Sequence, residues 1–117
     1  MECDVKMFDI ELLKFMKDVR PSEYNTIQLC EHVLNAYKII KYALRHPETL
    51  TELYAILKLR MRSHFVEDAF KIALNVLWAR NEIVFLHEDG HIIVVLKKMY
   101  VKHYEHFKQY ERVELEL

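Results

Sequence analysis

The sequence contains very few residues that interrupt secondary structure. Among its 117 residues there is one glycine, Gly90, and there are two prolines, Pro21 and Pro47. Because glycine and proline most often mark turns and chain breaks, their scarcity favours long helices joined by short connections. A single glycine also excludes the GxxxxGK[ST] loop with which many nucleotide-binding proteins hold phosphate groups.

Cysteine is scarce, and long apolar runs and an excess of charge of one sign are missing. The two cysteines, Cys3 and Cys30, form no CxxC motif, so we expect a reducing compartment and no disulfide framework. No apolar run approaches the roughly 18 residues of a membrane-spanning helix, and the N-terminus is acidic where a signal peptide is basic. These features predict a soluble cytoplasmic protein. Because 17 basic residues balance 18 acidic ones, nucleic-acid binding would need a local basic patch.

Three helices are predicted early in the main body, which we place at residues 21–117. Apolar residues at helical spacing predict the first helix between about residues 26 and 45. Thr49, with Glu52 three residues later, has the capping-box pattern that begins a second helix. A third helix is expected from residue 63 or 64 to about residue 79.

Residues 81–98 read NEIVFLHEDGHIIVVLKK and predict a β-hairpin. Its strands are Ile83–Leu86 and His91–Leu96, and the Asp89-Gly90 pair between them favours a tight turn, because glycine accepts positive φ. The apolar run of residues 92–96 predicts a strand covered on both faces. Three helices followed by a hairpin is the order of a winged helix, so we expect a mainly α, winged-helix-like domain. A purely helical domain carrying a hairpin is the alternative.

An aromatic or amphipathic segment lies on each side of this domain. Before Pro21, residues 1–20 are predicted to form an N-terminal helical arm that docks on a neighbour. After the hairpin, aromatic residues at roughly helical spacing predict a C-terminal helical extension. Because aromatic residues are frequent anchors at protein interfaces, we predict a partner interface. Its residues are Phe8, Leu12, Phe15, Trp78, Tyr100, Tyr104, Phe107 and Tyr110.

Basic residues concentrate in the turn before the third helix and in the segment after the hairpin. The third helix itself begins with Glu67 and Asp68, which would repel phosphates, and it has few of the side chains that read bases. We therefore predict contacts with the DNA backbone rather than with bases. The residues are Lys58, Arg60, Arg62, Lys97 and Lys98. A solvated helix face is the simpler interpretation of the second cluster.

The sequence contains no catalytic or metal-binding motif in the structural setting that its chemistry needs. GxSxG does not occur. HExxH occurs once, as His87-Glu88-Asp89-Gly90-His91, but it falls in the predicted hairpin turn, whereas the zinc-binding form of this motif lies on a helix. The other histidines and the two cysteines lack the spacing of zinc ligands. Cys30 lies on an apolar helical face, which is typical of a packed thiol rather than a nucleophile. We predict a protein that is not an enzyme and uses no cofactor or metal.

The segments TLTELYAILKLRM and DAFKIALNVLWARNEIVFLHEDGHIIVVL resemble the small middle components of bacterial ABC-three-component systems, including the Lamassu-type anti-phage systems. The resemblance extends over about residues 49–96. It implies an accessory subunit that binds an SMC-like coiled-coil ATPase and couples DNA sensing to an effector subunit, often a nuclease. It implies no catalytic residue.

Three functions are compatible with these observations. The first is a non-catalytic adaptor in an SMC-like ATPase complex of bacterial anti-phage defence, which links the DNA-sensing ATPase to its effector. The alternative is a dimeric winged-helix transcriptional regulator, which predicts strongly salt-dependent binding to duplex DNA. An antitoxin-like inhibitor of a small toxin is the third.

Overall fold

The computed structural model of the chain describes residues 26–62 and 64–115, with side chains of the first helix from residue 31 onward. The predicted N-terminal arm, with Phe8, Leu12 and Phe15, lies outside these residues. The elements are α1 (Thr26–Ala43), β1 (Glu48–Thr49), α2 (Leu50–Arg60), α3 (Val66–Ala79), β2 (Ile83–Glu88), β3 (His91–Leu96), α4 (Lys97–Lys102), α5 (Tyr104–Phe107) and β4 (Glu111–Val113). No helix in the described part of the chain is both long and apolar enough to cross a membrane.

The described strands form one antiparallel sheet of four strands in the order β1-β3-β2-β4. The hairpin of β2 and β3 is its centre, with Phe85 opposite Val94. Strand β1 adds two residues along β3, and β4 adds three along β2. The architecture is therefore mixed α and β. The predicted hairpin and the three predicted helices are confirmed, whereas β1 and β4 were not predicted.

The turn of the hairpin has the geometry that its sequence predicts. Asp89 has φ +45° and Gly90 has φ +80°, so both central residues of the two-residue loop are left-handed. This is the type I′ pattern, whose twist matches that of the flanking strands. Glu88 pairs with His91 across the turn and closes the ladder.

The predicted capping box is present where β1 meets α2. The Thr49 hydroxyl accepts a hydrogen bond from the backbone N–H of Glu52, and the Glu52 carboxylate accepts one from the backbone N–H of Thr49, both at 3.1 Å. The backbone hydrogen bond from Thr49 is the main reason why the pKa of Glu52 lies below its ordinary value. The same residue therefore ends a strand and begins a helix without a linker.

Helices α1, α2 and α3 cover one face of the sheet and form the first core. Side chains alternate along a strand, and Ile83, Phe85 and Val94 point toward these helices. Helix α3 contributes seven buried residues to the core. These are Ala69, Phe70, Ile72, Ala73, Leu74, Val76 and Leu77.

The opposite face of the hairpin forms a second core with the C-terminal segment. Val84, Leu86 and Val95 are buried together with Phe107. The partly buried side chains around them are Ile93, Met99, Tyr100 and Tyr110. The apolar run in β3 is thus covered on both faces, as predicted. The C-terminal extension packs back on the sheet, but it forms two short helices separated by a turn at His103 rather than one.

Replacing Phe107 with alanine should destabilise the fold strongly. Its ring is 6% exposed and covers the second face of the sheet, so Phe107→Ala should lower the free energy of unfolding by about 3 kcal/mol. Tyr104, three residues earlier and 49% exposed, is the matched control, and Tyr104→Ala should cost less than about 1 kcal/mol. Urea denaturation measures both values. Equal losses for the two variants would contradict the assignment of the second core.

Candidate functional site

Helix α3 offers little surface for reading DNA. Seven of its residues are buried, and along its length the exposed charged residues are Glu67 and Lys71. These two pair with each other at 3.3 Å. A helix that lies in the major groove needs several free basic or amide side chains on one face. The structure instead uses α3 to hold the core together.

The basic residues predicted for the turn before the third helix are exposed, and Lys58 and Arg60 lie within α2 rather than in a turn. Lys58 Nζ lies 4.7 Å from the centroid of the Tyr54 ring, and Arg62 is exposed beyond the end of α2. Arg60 lines a groove together with Ile56 and residues of α1. These side chains therefore form a diffuse basic surface.

The groove between α1 and α2 is a depression of about 170 Å³ lined by apolar and basic residues, and we name it the α1–α2 groove. Its lining residues are Ile39, Tyr42, Ala43, Arg45, His46, Glu48, Ile56 and Arg60. Tyr42 is 60% exposed and its ring stacks under the guanidinium of Arg45 at 4.3 Å. Leu59, one helical turn after Ile56, is 79% exposed. This surface was not predicted, although Ile39 and Tyr42 fit the apolar helical spacing of α1 less well than its other apolar residues.

The aromatic residues predicted as a partner interface occupy different environments. Trp78 packs partly buried against the first core, and Tyr100 and Tyr110 pack partly buried against the second. Phe107 is buried in the second core. Tyr104 is exposed, with its ring edge-on to Tyr100 at 5.7 Å between centroids. Among the described members of the set, Tyr104 therefore presents the most surface to a partner.

The end of α3 fixes the position of a carboxylate, Glu82. Asn81 adopts φ +59°, and its backbone N–H donates to the carbonyl of Trp78 at 2.9 Å. The backbone N–H of Glu82 donates to the carbonyl of Leu77, also at 2.9 Å. This is the Schellman motif, with asparagine at the position that glycine usually takes. The chain reverses there and places the Glu82 side chain beside α1.

Three side chains contact the Glu82 carboxylate. The Tyr37 hydroxyl donates a hydrogen bond to Oε2 at 2.5 Å, and Lys41 Nζ lies 3.0 Å from Oε1. Arg80 Nε lies 3.3 Å from Oε2. Both carboxylate oxygens are thus engaged, and the side chain is 25% exposed. The contacts join α1 to the connection between α3 and β2.

Burial and hydrogen bonding shift the pKa values of this pair in opposite directions. Burial, followed by the hydrogen bond to Glu82, raises the pKa of the Tyr37 hydroxyl well above its ordinary value, so Tyr37 stays a donor. Burial alone would raise the pKa of Glu82. The hydrogen bonds from Tyr37 and Lys41 outweigh it, and the pKa of Glu82 lies below its ordinary value of 4.5. The carboxylate is therefore ionised at neutral pH.

Beside Glu82 lies a cleft of about 310 Å³, which we name the lysine cleft. Its lining residues are Lys41, Asn81, Glu82, Leu96, Lys97 and Lys98. The structure thus brings the predicted Lys97 and Lys98 together with Lys41, which the sequence did not indicate. Several ammonium groups around one cavity can bind an anion. Among the described residues no group of three or more histidine, cysteine, aspartate or glutamate side chains could hold a metal ion.

Replacing Glu82 with glutamine should lower the free energy of unfolding at neutral pH and make it depend less on pH under acidic conditions. Because the pKa of Glu82 is lowered in the folded state, its contribution is present above the unfolded pKa and is lost as pH falls through the folded pKa. Glu82→Gln should cost about 1 kcal/mol at pH 7, and the difference from the natural chain should shrink between about pH 5 and pH 3.

Urea midpoints measured across this pH range test the prediction. Glu67→Gln is the matched control, because Glu67 also pairs with a lysine but is 67% exposed, and its cost should stay below about 0.5 kcal/mol. A Glu82→Gln variant whose deficit stays constant down to pH 3 would contradict the assigned role of the carboxylate.

In comparisons with protein-family models, with curated proteins and with solved structures, no match to the chain is found.

Proposed function

We propose that the chain is a winged-helix protein. The order α1-β1-α2-α3-β2-β3 and the antiparallel arrangement β1-β3-β2 support this assignment. The wing is then the hairpin with the Asp89–Gly90 turn. Strand β4 and helices α4 and α5 extend this plan, because they add an edge strand and cover the second face of the sheet.

Within this fold, the proposed function is that of a non-catalytic adaptor. It binds the SMC-like ATPase of a bacterial anti-phage defence complex and links that DNA-sensing subunit to a nuclease-like effector. The resemblance of residues 49–96 to the small components of ABC-three-component systems supports the proposal. The observation that carries it is the exposed apolar surface of the α1–α2 groove.

The α1–α2 groove has the character of a protein-binding surface. Four large apolar residues in the described part of the chain are exposed, and two of them lie in or beside this groove. Tyr42 lines it, and Leu59 precedes the lining residue Arg60 on α2. Arg45, His46 and Arg60 line the groove against one acidic residue, Glu48. Charge complementarity therefore favours a segment of the ATPase that inserts an apolar side chain flanked by acidic ones.

The placement of α3 favours an adaptor over the alternative of a dimeric transcriptional regulator. A regulator of this fold would use its third helix to contact bases. Here that helix has an acidic first turn, and its exposed lysine is paired with Glu67. Sequence-specific reading by α3 would therefore lack the required side chains.

Replacing Leu59 with aspartate should weaken the binding of the ATPase to this chain without disturbing the fold. Tagged protein is purified from its native host with washes at about 0.5 M salt, which screen exposed charge contacts, and the retained proteins are identified by mass spectrometry. The natural chain should retain a coiled-coil ATPase in near-stoichiometric amount. Because Leu59 is 79% exposed, Leu59→Asp should reduce that recovery by about tenfold or more without changing the unfolding midpoint.

Val101→Asp is the matched control, because Val101 is an exposed apolar residue on α4, outside the groove. It should retain the ATPase at the level of the natural chain. Recovery of the protein alone or as a homodimer would refute the adaptor proposal. Equal loss with Leu59→Asp and Val101→Asp would refute the assignment of the groove as the docking site.

A further inference from the structure

The lysine cleft contains more positive charge than its internal ion pairs neutralise. Four cations, Lys41, Arg80, Lys97 and Lys98, lie around or beside the single carboxylate of Glu82. Lys41 and Arg80 already compensate that carboxylate. Lys97 and Lys98 form no ion pair with any described residue. The cleft therefore attracts an anion from solution.

The positive charge continues beyond the cleft along α4. Lys98 and Lys102 are one helical turn apart on this helix, so they lie on the same face, and both are exposed. Nearby, Lys97 Nζ and the Arg112 guanidinium each lie 5.7 Å from the centroid of the Tyr100 ring. The anion that fits this surface is therefore extended and carries charge at several points.

The chemistry of the lining favours a phosphate backbone over a small ligand. Three lysines, Lys41, Lys97 and Lys98, line the cleft against the single carboxylate of Glu82. Lysine ammonium groups are compact, mobile charges that bind phosphate as point charges and select no base. A single phosphate would bind weakly to such a surface. Successive phosphates of one nucleic-acid strand would each contact a lysine, and their binding energies would add.

We propose that the lysine cleft and the adjoining face of α4 bind the phosphate backbone of duplex DNA without reading its sequence. The contact lies where β2 begins and β3 ends, at Ile83 and Leu96, which pair with each other. The Asp89–Gly90 turn is at the other end of this hairpin, about 20 Å away over six residues. The duplex thus binds at the base of the hairpin rather than at its turn. This inference does not depend on the adaptor function.

The test is fluorescence anisotropy of the full chain with a labelled duplex of about 20 base pairs, titrated from about 50 to 200 mM salt. The double variant Lys97→Gln/Lys98→Gln should raise Kd by about tenfold or more at the lowest salt. It should also reduce the slope of log K against log salt by about two, since each lost phosphate contact contributes about 0.9. Circular dichroism checks that the helical content is unchanged.

The matched control is Lys58→Gln/Arg62→Gln, which removes the same amount of charge from the diffuse basic surface at the end of α2. Its Kd should change by less than about threefold. Equal weakening by both double variants would overturn the proposal, because overall charge would then explain binding. Absence of duplex binding by the natural chain at about 50 mM salt would also overturn it. Displacement of the duplex by stoichiometric pyrophosphate at constant ionic strength would overturn it in favour of a small phosphate ligand.

Discussion

Burial of the β2–β3 hairpin on both faces is the constraint on which the rest of the structure depends. Alternation places Phe85 and Val94 against the three helices, and Val84 and Val95 against the C-terminal segment. In a sheet with one solvent-exposed face, alternating apolar and polar residues fix the register of the strands. This hairpin lacks that alternation, because both of its faces are buried. Its register is fixed by the type I′ turn and by the shapes of two cores. The segment from Lys97 to Val113 is therefore an integral part of the fold.

Glu82 connects three helices, α1, α3 and α4, at the start of the hairpin. Its backbone N–H caps α3 at Leu77, and its carbonyl accepts a hydrogen bond from the N–H of Lys97 at 2.8 Å, where α4 begins. Its carboxylate holds α1 through Tyr37 and Lys41. A partly buried carboxylate is tolerated there because donors from two elements compensate its desolvation. The same contacts bring Lys41 next to Lys97, so the lysine cleft is a consequence of how the helices are fastened to the sheet.

The sequence predicted those elements whose signals are local. Thr49 with Glu52, and Asp89 with Gly90, each mark a boundary within a few residues, and both boundaries are where they were expected. Strands β1 and β4 have two and three residues, too few for any periodicity. The cleft depends on Lys41, which approaches Lys97 only through tertiary packing. The helix break at His103 involves neither glycine nor proline, so the sequence carries no signal for it. After this break, Phe107 is buried and Tyr104 is exposed.

The last turns of α1 connect the two surfaces for which we propose binding functions. Lys41 lines the lysine cleft and Tyr42 lines the α1–α2 groove, and successive residues of a helix point about 100° apart. Helix α1 thus presents one side to each surface. Because the hydrogen bond from Tyr37 to Glu82 fastens α1 to the start of β2, the two surfaces keep a fixed relation. If the α1–α2 groove binds an ATPase segment and the lysine cleft binds a DNA backbone, as proposed, α1 would hold the two ligands in a constant relative orientation.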